Sequence, residues 1–103
     1  MWYSASVSEG TAKLHGPMGS RNLDSYALDA SLCEDRVIVL SESGLCKIFC
    51  IESDGFPYHR KSLIRTGSRA VRVSAQATGW TVLTERGETE LYNLDGNLIR
   101  VIC

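Results

Sequence analysis

The sequence repeats part of itself at a distance of 43 residues. Val39-Leu40-Ser41-Glu42-Ser43-Gly44 returns as Val82-Leu83-Thr84-Glu85-Arg86-Gly87, and Ile48-Phe49 returns in register as Leu91-Tyr92. Each copy has two apolar runs on either side of a glycine-containing turn, which is the pattern of a β-hairpin. A duplicated hairpin predicts a fold built by stacking similar units, and such folds commonly bind partners rather than catalyse reactions.

The chain from residue 36 onward predicts antiparallel strands. It is rich in β-branched and aromatic residues and its helical periodicity is weak, so we expect strands at about 36–41, 45–51, 70–76, 79–84, 88–94 and 97–102. Asp54-Gly55 and Asp95-Gly96 are strong hairpin signals, because glycine accepts the positive φ of a tight turn. The predicted fold class is therefore all-β, with antiparallel strands and a duplicated β-hairpin.

The first third of the chain is less regular. Residues 3–14 align with the first repeat at an offset of 34, which places Gly10 on Gly44. Residues 16–22 have the composition of a loop, and residues 25–32 favour either a strand or a short helical turn. We expect one domain over 1–103, with an N-terminal segment 1–35, a first repeat 36–78 and a second, partial repeat 79–103.

The alternation of apolar residues predicts how the strands are covered. Val37–Leu40, Leu45–Ile51 and Leu98–Ile102 are apolar on both strand faces, whereas a sheet with one wet face should alternate. We therefore expect these strands to be covered on both sides, by another sheet or by another subunit. The segment 70–76 alternates and predicts a more exposed strand, and Trp80 and Tyr92 are predicted core residues.

The repeat resembles the blades of β-propellers, including those of Trp-Asp-repeat proteins. Its period, its short strands and the S/T-E-x-G turn carry the resemblance, which spans about residues 36–102; Asn93-Leu94 stand where Trp-Asp would be expected. A propeller needs about four blades or more, and this chain supplies about two and a half. Either several copies close a ring, or the chain is a piece of something larger, or the strands form a small barrel or sandwich.

Composition excludes several classes of function. The net charge of −1 gives no general attraction to nucleic acid or anionic membranes, and no apolar stretch approaches the roughly 18 residues of a spanning helix. The first residues lack a basic segment followed by an apolar one, so we expect no secretory signal and a cytoplasmic or virion-associated protein.

Four cysteines, Cys33, Cys46, Cys50 and Cys103, are expected to be reduced thiols. On a strand, Cys46 and Cys50 lie roughly 13 Å apart, too far for one tetrahedral ion, so no metal is expected. No motif indicates a cofactor. His15 and His59 lie in predicted loops, and Asp54 and Asp95 are explained as turn-capping residues, so we expect no enzymatic activity.

The charge is unevenly distributed along the chain. Residues 1–54 carry a balance of −4, residues 55–84 carry +5 with no acid, and residues 85–103 carry −2. The candidate partner-binding residues of this basic tract are Phe56, Tyr58, Arg60, Lys61, Arg65, Arg69 and Arg72. The sequence favours a non-catalytic protein–protein interaction or assembly module that self-associates. The alternatives are a sugar- or nucleic-acid-binding module that uses residues 56–72, and a solvated loop balanced by acidic strands.

Overall fold

The structure, a computed structural model, describes residues 2–103, and all of its regular elements are strands. They are β1 (Ser4–Ser8), β2 (Thr11–Gly16), β3 (Gly19–Asp24), β4 (Ala27–Cys33), β5 (Arg36–Ser41), β6 (Leu45–Ile51), β7 (Pro57–Ile64), β8 (Ala70–Gln76), β9 (Gly79–Thr84), β10 (Thr89–Asn93) and β11 (Leu98–Ile102). The predicted all-β class is confirmed. Over these described residues, no helix is long and apolar enough to cross a membrane.

The strands form three open antiparallel sheets, each a simple meander. We call them the N-terminal sheet (β1-β2-β3), the middle sheet (β4-β5-β6-β7) and the C-terminal sheet (β8-β9-β10-β11). The sheets are stacked, with β1 packed against β4 and β4 against β8. None of the three sheets in residues 2–103 closes on itself, so the small barrel considered among the alternatives is not formed.

The middle and C-terminal sheets match strand for strand at an offset of 43 residues. β4 and β8 begin at Ala27 and Ala70, and β5 and β9 begin at Arg36 and Gly79. The β4–β5 and β8–β9 pairs each contain a register shift directly after their first residue pair. The sheets span residues 27–64 and 70–102, so the predicted repeats 36–78 and 79–103 each begin on the second strand of a sheet.

The turn glycines of the two hairpins occupy equivalent positions. Gly44 and Gly87 have φ of 90° and 81°, in the region that L side chains rarely adopt. In both turns the glycine N–H donates to the carbonyl three residues earlier, Ser41 O and Thr84 O, at 3.0 Å. The predicted glycine turns are confirmed here.

The six strands predicted from residue 36 onward are confirmed, and β7 is an additional strand in that part of the chain. The N-terminal third also contains more strand than predicted. Residues 16–22, assigned to a loop by composition, contain the end of β2, a two-residue turn at Pro17-Met18 and the first part of β3. Residues 27–33 form β4, so the strand alternative holds there. Glu9 and Gly10 form a two-residue turn in which both residues have positive φ, whereas Gly44 ends a longer turn after Ser41.

Two apolar cores lie on opposite faces of the middle sheet. On β5, Val37 and Val39 face the core shared with the N-terminal sheet, and Ile38 and Leu40 face the core shared with the C-terminal sheet. All four side chains are fully buried. The expectation that Val37–Leu40 is covered on both faces is therefore confirmed, and sheet-on-sheet packing is the reason.

The C-terminal sheet is covered on one face only. Val73, Trp80, Val82 and Tyr92 are buried against the middle sheet, as predicted for Trp80 and Tyr92. The expectation that Leu98–Ile102 is covered on both faces is wrong for the single chain, because all five residues of β11 are exposed. β11 is the edge strand of the last sheet in the stack, and no further sheet in the described chain covers it.

Side chains of β4 satisfy backbone groups of β8, which is an edge strand of its own sheet. The N–H of Val73 donates to Asp29 Oδ2 at 2.9 Å, and the N–H of Ala75 donates to Ser31 Oγ at 2.8 Å. Arg36 Nη2 donates to the carbonyl of Ala77 at 3.0 Å. The bonds to Val73 and Ala75 are partly buried and fix the two sheets in register, since each would otherwise leave an unpaired N–H group between them. The Arg36 bond adds an exposed connection at the turn after β8.

Candidate interaction surface

The basic tract is divided between two sheets. Residues 57–64 form β7, the outer edge strand of the middle sheet, whereas β8 begins at Ala70 and forms the opposite edge of the C-terminal sheet. Because β4 is the strand packed on β8, the two parts of the tract lie at different edges of the stack. Phe56 through Lys61 are therefore brought together, and Arg69 and Arg72 lie apart from them.

The two aromatic residues of the tract have different surroundings. The guanidinium carbon of Arg21 lies 4.5 Å from the centroid of the Phe56 ring and covers it. Tyr58 is 46% exposed and its hydroxyl donates to Asp54 Oδ2 at 2.5 Å. Tyr58 is thus the aromatic side chain of this region that a partner can reach directly.

Asp54 caps its turn as predicted, whereas Asp95 does not. Asp54 Oδ1 accepts from the N–H of Phe56 at 2.9 Å, and the bonds from Tyr58 and Phe56 hold the pKa of this carboxyl below its usual value. At the other turn the cap is Asn93, whose Oδ1 accepts from the N–H groups of Asp95 and Asn97, each at 3.0 Å. In both turns, a side-chain oxygen accepts hydrogen bonds from backbone N–H groups that follow it closely in the sequence.

The cations of β7 are engaged by neighbouring groups. Arg60 forms an ion pair with Glu52, and both side chains are exposed to water. Lys61 Nζ donates to the carbonyl of Asp95 at 2.6 Å, which connects β7 to the β10–β11 turn of the C-terminal sheet. The charge of this edge is therefore partly balanced within the fold, in line with the balanced-loop alternative, although the segment is a strand.

Arg65 is a buried structural residue. Its Nε and Nη2 both lie 2.8 Å from Glu90 Oε1, and the two side chains are 3% and 6% exposed. Arg65 Nη2 also donates to the carbonyl of Ser68 at 2.8 Å. Burial alone lowers the pKa of Arg65, but the hydrogen bond and charge of Glu90 outweigh it and leave that pKa raised. A Cβ at Gly67 would collide with the Glu90 carboxylate, so glycine is needed there.

Two further groups at the same sheet–sheet contact have raised pKa values. Burial, followed by the hydrogen bond that its hydroxyl donates to Glu90 Oε1 at 2.9 Å, raises the pKa of Tyr92 to about 12. Burial raises the pKa of the Cys46 thiol to about 11. Both groups therefore stay neutral and unreactive at neutral pH.

Arg69 and Arg72 are the remaining cations of the tract. Both are exposed, and within residues 2–103 no side-chain hydrogen bond or ion pair engages either guanidinium. Arg69 contributes its backbone carbonyl, which accepts from the N–H of Glu85 at 2.8 Å. Arg72 pairs with Leu83 and lies on the uncovered face of the C-terminal sheet, whereas Arg69 precedes β8 and lies near the β5–β6 turn.

The histidines lie on strands rather than in the predicted loops. His15, on β2, has Nε2 2.8 Å from Ser6 Oγ and Nδ1 2.8 Å from Ser20 Oγ, so it connects three strands. His59, on β7, has Nε2 2.9 Å from Ser62 Oγ and packs edge-on against Phe49. All four cysteines are free thiols, and among the described residues no group of three or more His, Cys, Asp or Glu could hold a metal ion.

The concave features of the chain differ in volume and in how open they are. A partly enclosed cavity of about 150 Å³ lies between the β5–β6 turn and the segment after β7, and Ser43, Ile64 and Arg69 contribute to its lining. Ligand pockets usually start at about 300 Å³. A depression of about 580 Å³ exceeds that volume, but it is wide open to solvent; its lining residues are Tyr3, Glu34, Asp35, Ile51, Glu52 and Ser53. The open surface, rather than an enclosed site, is therefore where this chain offers contacts.

The largest exposed apolar feature is one that the sequence analysis did not name as a site. On β11, Leu98, Ile99, Val101 and Ile102 are between 43% and 59% exposed. The apolar pattern of this strand is visible in the sequence, where it predicted a covered strand. Whether such a strand is covered or exposed depends on the order of the sheets, which the pattern does not show.

No family model matches this sequence, and no curated protein matches it either.

Proposed function

We propose that this chain is a non-catalytic interaction module that associates with further copies of itself. The observation that carries the proposal is the difference between the two four-stranded sheets. The middle sheet is covered on both faces, and the C-terminal sheet, which is built on the same strand spacing, is covered on one. Contiguous exposed apolar surface of this kind marks contact sites in soluble proteins.

The proposal includes a blade-like architecture. In its favour are the 43-residue offset of the strand starts and the equivalent register shifts of the two sheets. Stacked repeat units bury their apolar faces against neighbours, so a unit at the end of a stack needs either a polar outer face or a partner. A cytoplasmic or virion-associated location belongs to the same proposal.

The test is the absolute mass of the purified protein by light scattering after size exclusion, over a range of concentrations at low and high salt. We expect a discrete oligomer of the 11.3 kDa chain that persists at high salt, because apolar contact is not screened by ions. A monomer at every concentration would contradict self-association.

A ligand-binding module is the second candidate, and the exposed edge of β7 favours it. Tyr58 offers an accessible ring, and Arg60 and Lys61 lie on the same strand at the surface. Binding of a single-stranded oligonucleotide should weaken steeply with salt and be lost in Arg60→Glu/Lys61→Glu. Sugar binding should be insensitive to salt and lost in Tyr58→Ala. If neither ligand binds, residues 56–72 are not a ligand site for these two classes.

A further inference from the structure

The three outer edge strands of the stack differ in how they are protected. β3, β7 and β11 are each the last strand of a sheet, so each presents one row of unpaired backbone groups. β3 carries Arg21 and Asn22, and β7 carries Arg60 and Lys61. Charged side chains, lysine and arginine above all, are the usual means by which natural proteins keep an edge strand from pairing with another chain.

β11 carries less of this protection than β3 and β7. Its sequence is Leu98-Ile99-Arg100-Val101-Ile102, so Arg100 is the one charged residue among five, and all five are exposed. Each of its faces carries an apolar residue, since Val101 pairs with the inward-facing Glu90 and Ile102 pairs with the outward-facing Thr89. Arg100 pairs with Leu91 and lies on the outward face. The strand contains neither proline nor glycine. Its pairing with β10 skips Ile99, so the regular part of the strand is Arg100–Ile102.

The uncovered face of the C-terminal sheet continues the apolar surface of β11. Leu83, Thr89 and Ile102 lie in one row across β9, β10 and β11. Leu83 and Leu91 stand 43 residues after Leu40 and Ile48, which are buried between the middle and C-terminal sheets. The uncovered face of the C-terminal sheet is therefore equivalent to the face on which the middle sheet packs against a neighbouring sheet, although it has fewer apolar residues.

The opposite end of the stack does not match this surface. The outward face of the N-terminal sheet carries Ser4, Ser6, Ser8, Thr11, Lys13 and His15, because Ala5, Val7, Ala12 and Leu14 point into the core. It is a polar cap. A head-to-tail contact would place this cap against Leu83 and β11, burying hydroxyls and an ammonium against apolar side chains.

Elsewhere, the exposed large apolar residues are scattered. Trp2 lies before β1, Met18 in the β2–β3 turn, Tyr26 between β3 and β4, and Tyr58 and Ile64 on β7. Val71 on β8 and Leu94 in the β10–β11 turn are also exposed, and both belong to the C-terminal sheet. Because the exposed apolar side chains of residues 2–103 are most concentrated on this sheet, the matching surface of another copy is the apolar partner that the chain itself offers. A net charge of −1 does not oppose that approach.

The geometry points to a two-fold dimer in which β11 of one copy pairs antiparallel with β11 of a second copy. Two four-stranded sheets then form one continuous sheet, and the unpaired backbone groups of both edges are satisfied. Arg100 directly opposite its own copy would be repulsive, and the register with β10 is interrupted at Ile99, so we expect the axis to pass through Val101. This inference rests on the proposed self-association and names the strand that performs it.

The test is the solution mass of Ile99→Lys/Val101→Lys in reducing buffer, beside the matched control Ile64→Lys. All three side chains are exposed in the single chain, and Ile64 also lies on an edge strand, so each change should leave the fold intact. We expect the wild type and the control at twice 11.3 kDa and the double variant at 11.3 kDa. The milder Ile99→Thr/Val101→Thr should raise the dimer Kd by about tenfold or more while preserving strand propensity.

The outcomes separate this inference from the function on which it rests. If the wild type and both β11 variants share one oligomeric mass, self-association stands and pairing through β11 is wrong. If the wild type is a monomer at all concentrations, self-association and β11 pairing are both wrong. If the β11 variants alone are monomeric, both are supported.

Discussion

The middle and C-terminal sheets are built alike and covered differently. Their strands begin 43 residues apart and their hairpin turns close in the same way, yet Leu40 is fully buried and its counterpart Leu83 is 36% exposed. The difference comes from position in the stack, since the middle sheet has a neighbour on each side. The strand pattern therefore determines the type of sheet, and the order of the sheets determines what each residue contributes to stability.

The largest loss of stability is expected when the buried ion pair between Arg65 and Glu90 is broken. Arg65→Met leaves the Glu90 carboxylate buried without its partner, so we expect the free energy of unfolding to fall by about 3–5 kcal/mol in chemical denaturation. The control is Arg60→Met, which removes an exposed ion pair from the same tract and should cost about 0–1 kcal/mol. Equal losses in the two variants would contradict the structural role of Arg65.

The second comparison uses the matched leucines. Leu40→Ala opens a cavity between two sheets and should cost about 2–5 kcal/mol. Leu83→Ala removes a partly exposed side chain from the uncovered face, and in dilute protein it should cost less than about 1 kcal/mol. Similar losses in denaturant titrations of both variants would mean that the face of the C-terminal sheet is covered within the single chain.

Alkaline pH should weaken the contact between the middle and C-terminal sheets. Because the pKa values of Cys46 and Tyr92 are raised from 9.0 to about 11 and from 10.0 to about 12, the folded state holds protons that the unfolded state releases. The stabilisation is complete below pH 9 and is lost as pH rises through about 11 to 12. Thermal unfolding followed from pH 8 to 12 should show this loss, reduced in Tyr92→Phe; an unchanged slope in that variant would rule out Tyr92 as its source.

The smallest effect is expected from a single hydrogen bond between the sheets. Ser31→Ala removes the acceptor of the Ala75 N–H and should cost about 1 kcal/mol. Ser74 is its counterpart 43 residues later and lies on the exposed part of β8, so Ser74→Ala should stay within about 0.5 kcal/mol. The denaturant midpoints of both variants, compared with that of the wild type, check these two values. A larger loss of stability for Ser74→Ala than for Ser31→Ala would contradict the assignment of the inter-sheet hydrogen bond to Ser31.

Strands with apolar residues on both faces could be predicted, and polar edge strands could not. The apolar run Val37–Leu40 predicted a strand covered on both faces. The composition of β3 is typical of a turn and that of β7 is typical of a solvated loop, so neither was predicted as a strand. Both are edge strands, where pairing on one side suffices and little apolar burial is required. Composition alone therefore predicted too few strands, and it missed the outer edge strands of the N-terminal and middle sheets.

The candidate surface was predictable only in part, for a different reason. The basic tract is visible in the sequence, but Glu90, which neutralises Arg65, is 25 residues away and on another sheet. The apolar pattern of Leu98–Ile102 was equally visible. Whether it marks a core strand or an open edge depends on the number of sheets that follow it, which periodicity does not encode.

Residue-resolved amide hydrogen exchange, measured at a low and a high protein concentration, tests the central claim most directly. We expect amides of β5 and β6 to be protected equally at both concentrations, since the middle sheet is complete within one chain. The β11 amides that point away from β10 should exchange rapidly in dilute protein and become protected at high concentration, when a second copy pairs with the edge. Protection of β11 that does not change with concentration would contradict the claim that the C-terminal sheet is completed by another copy.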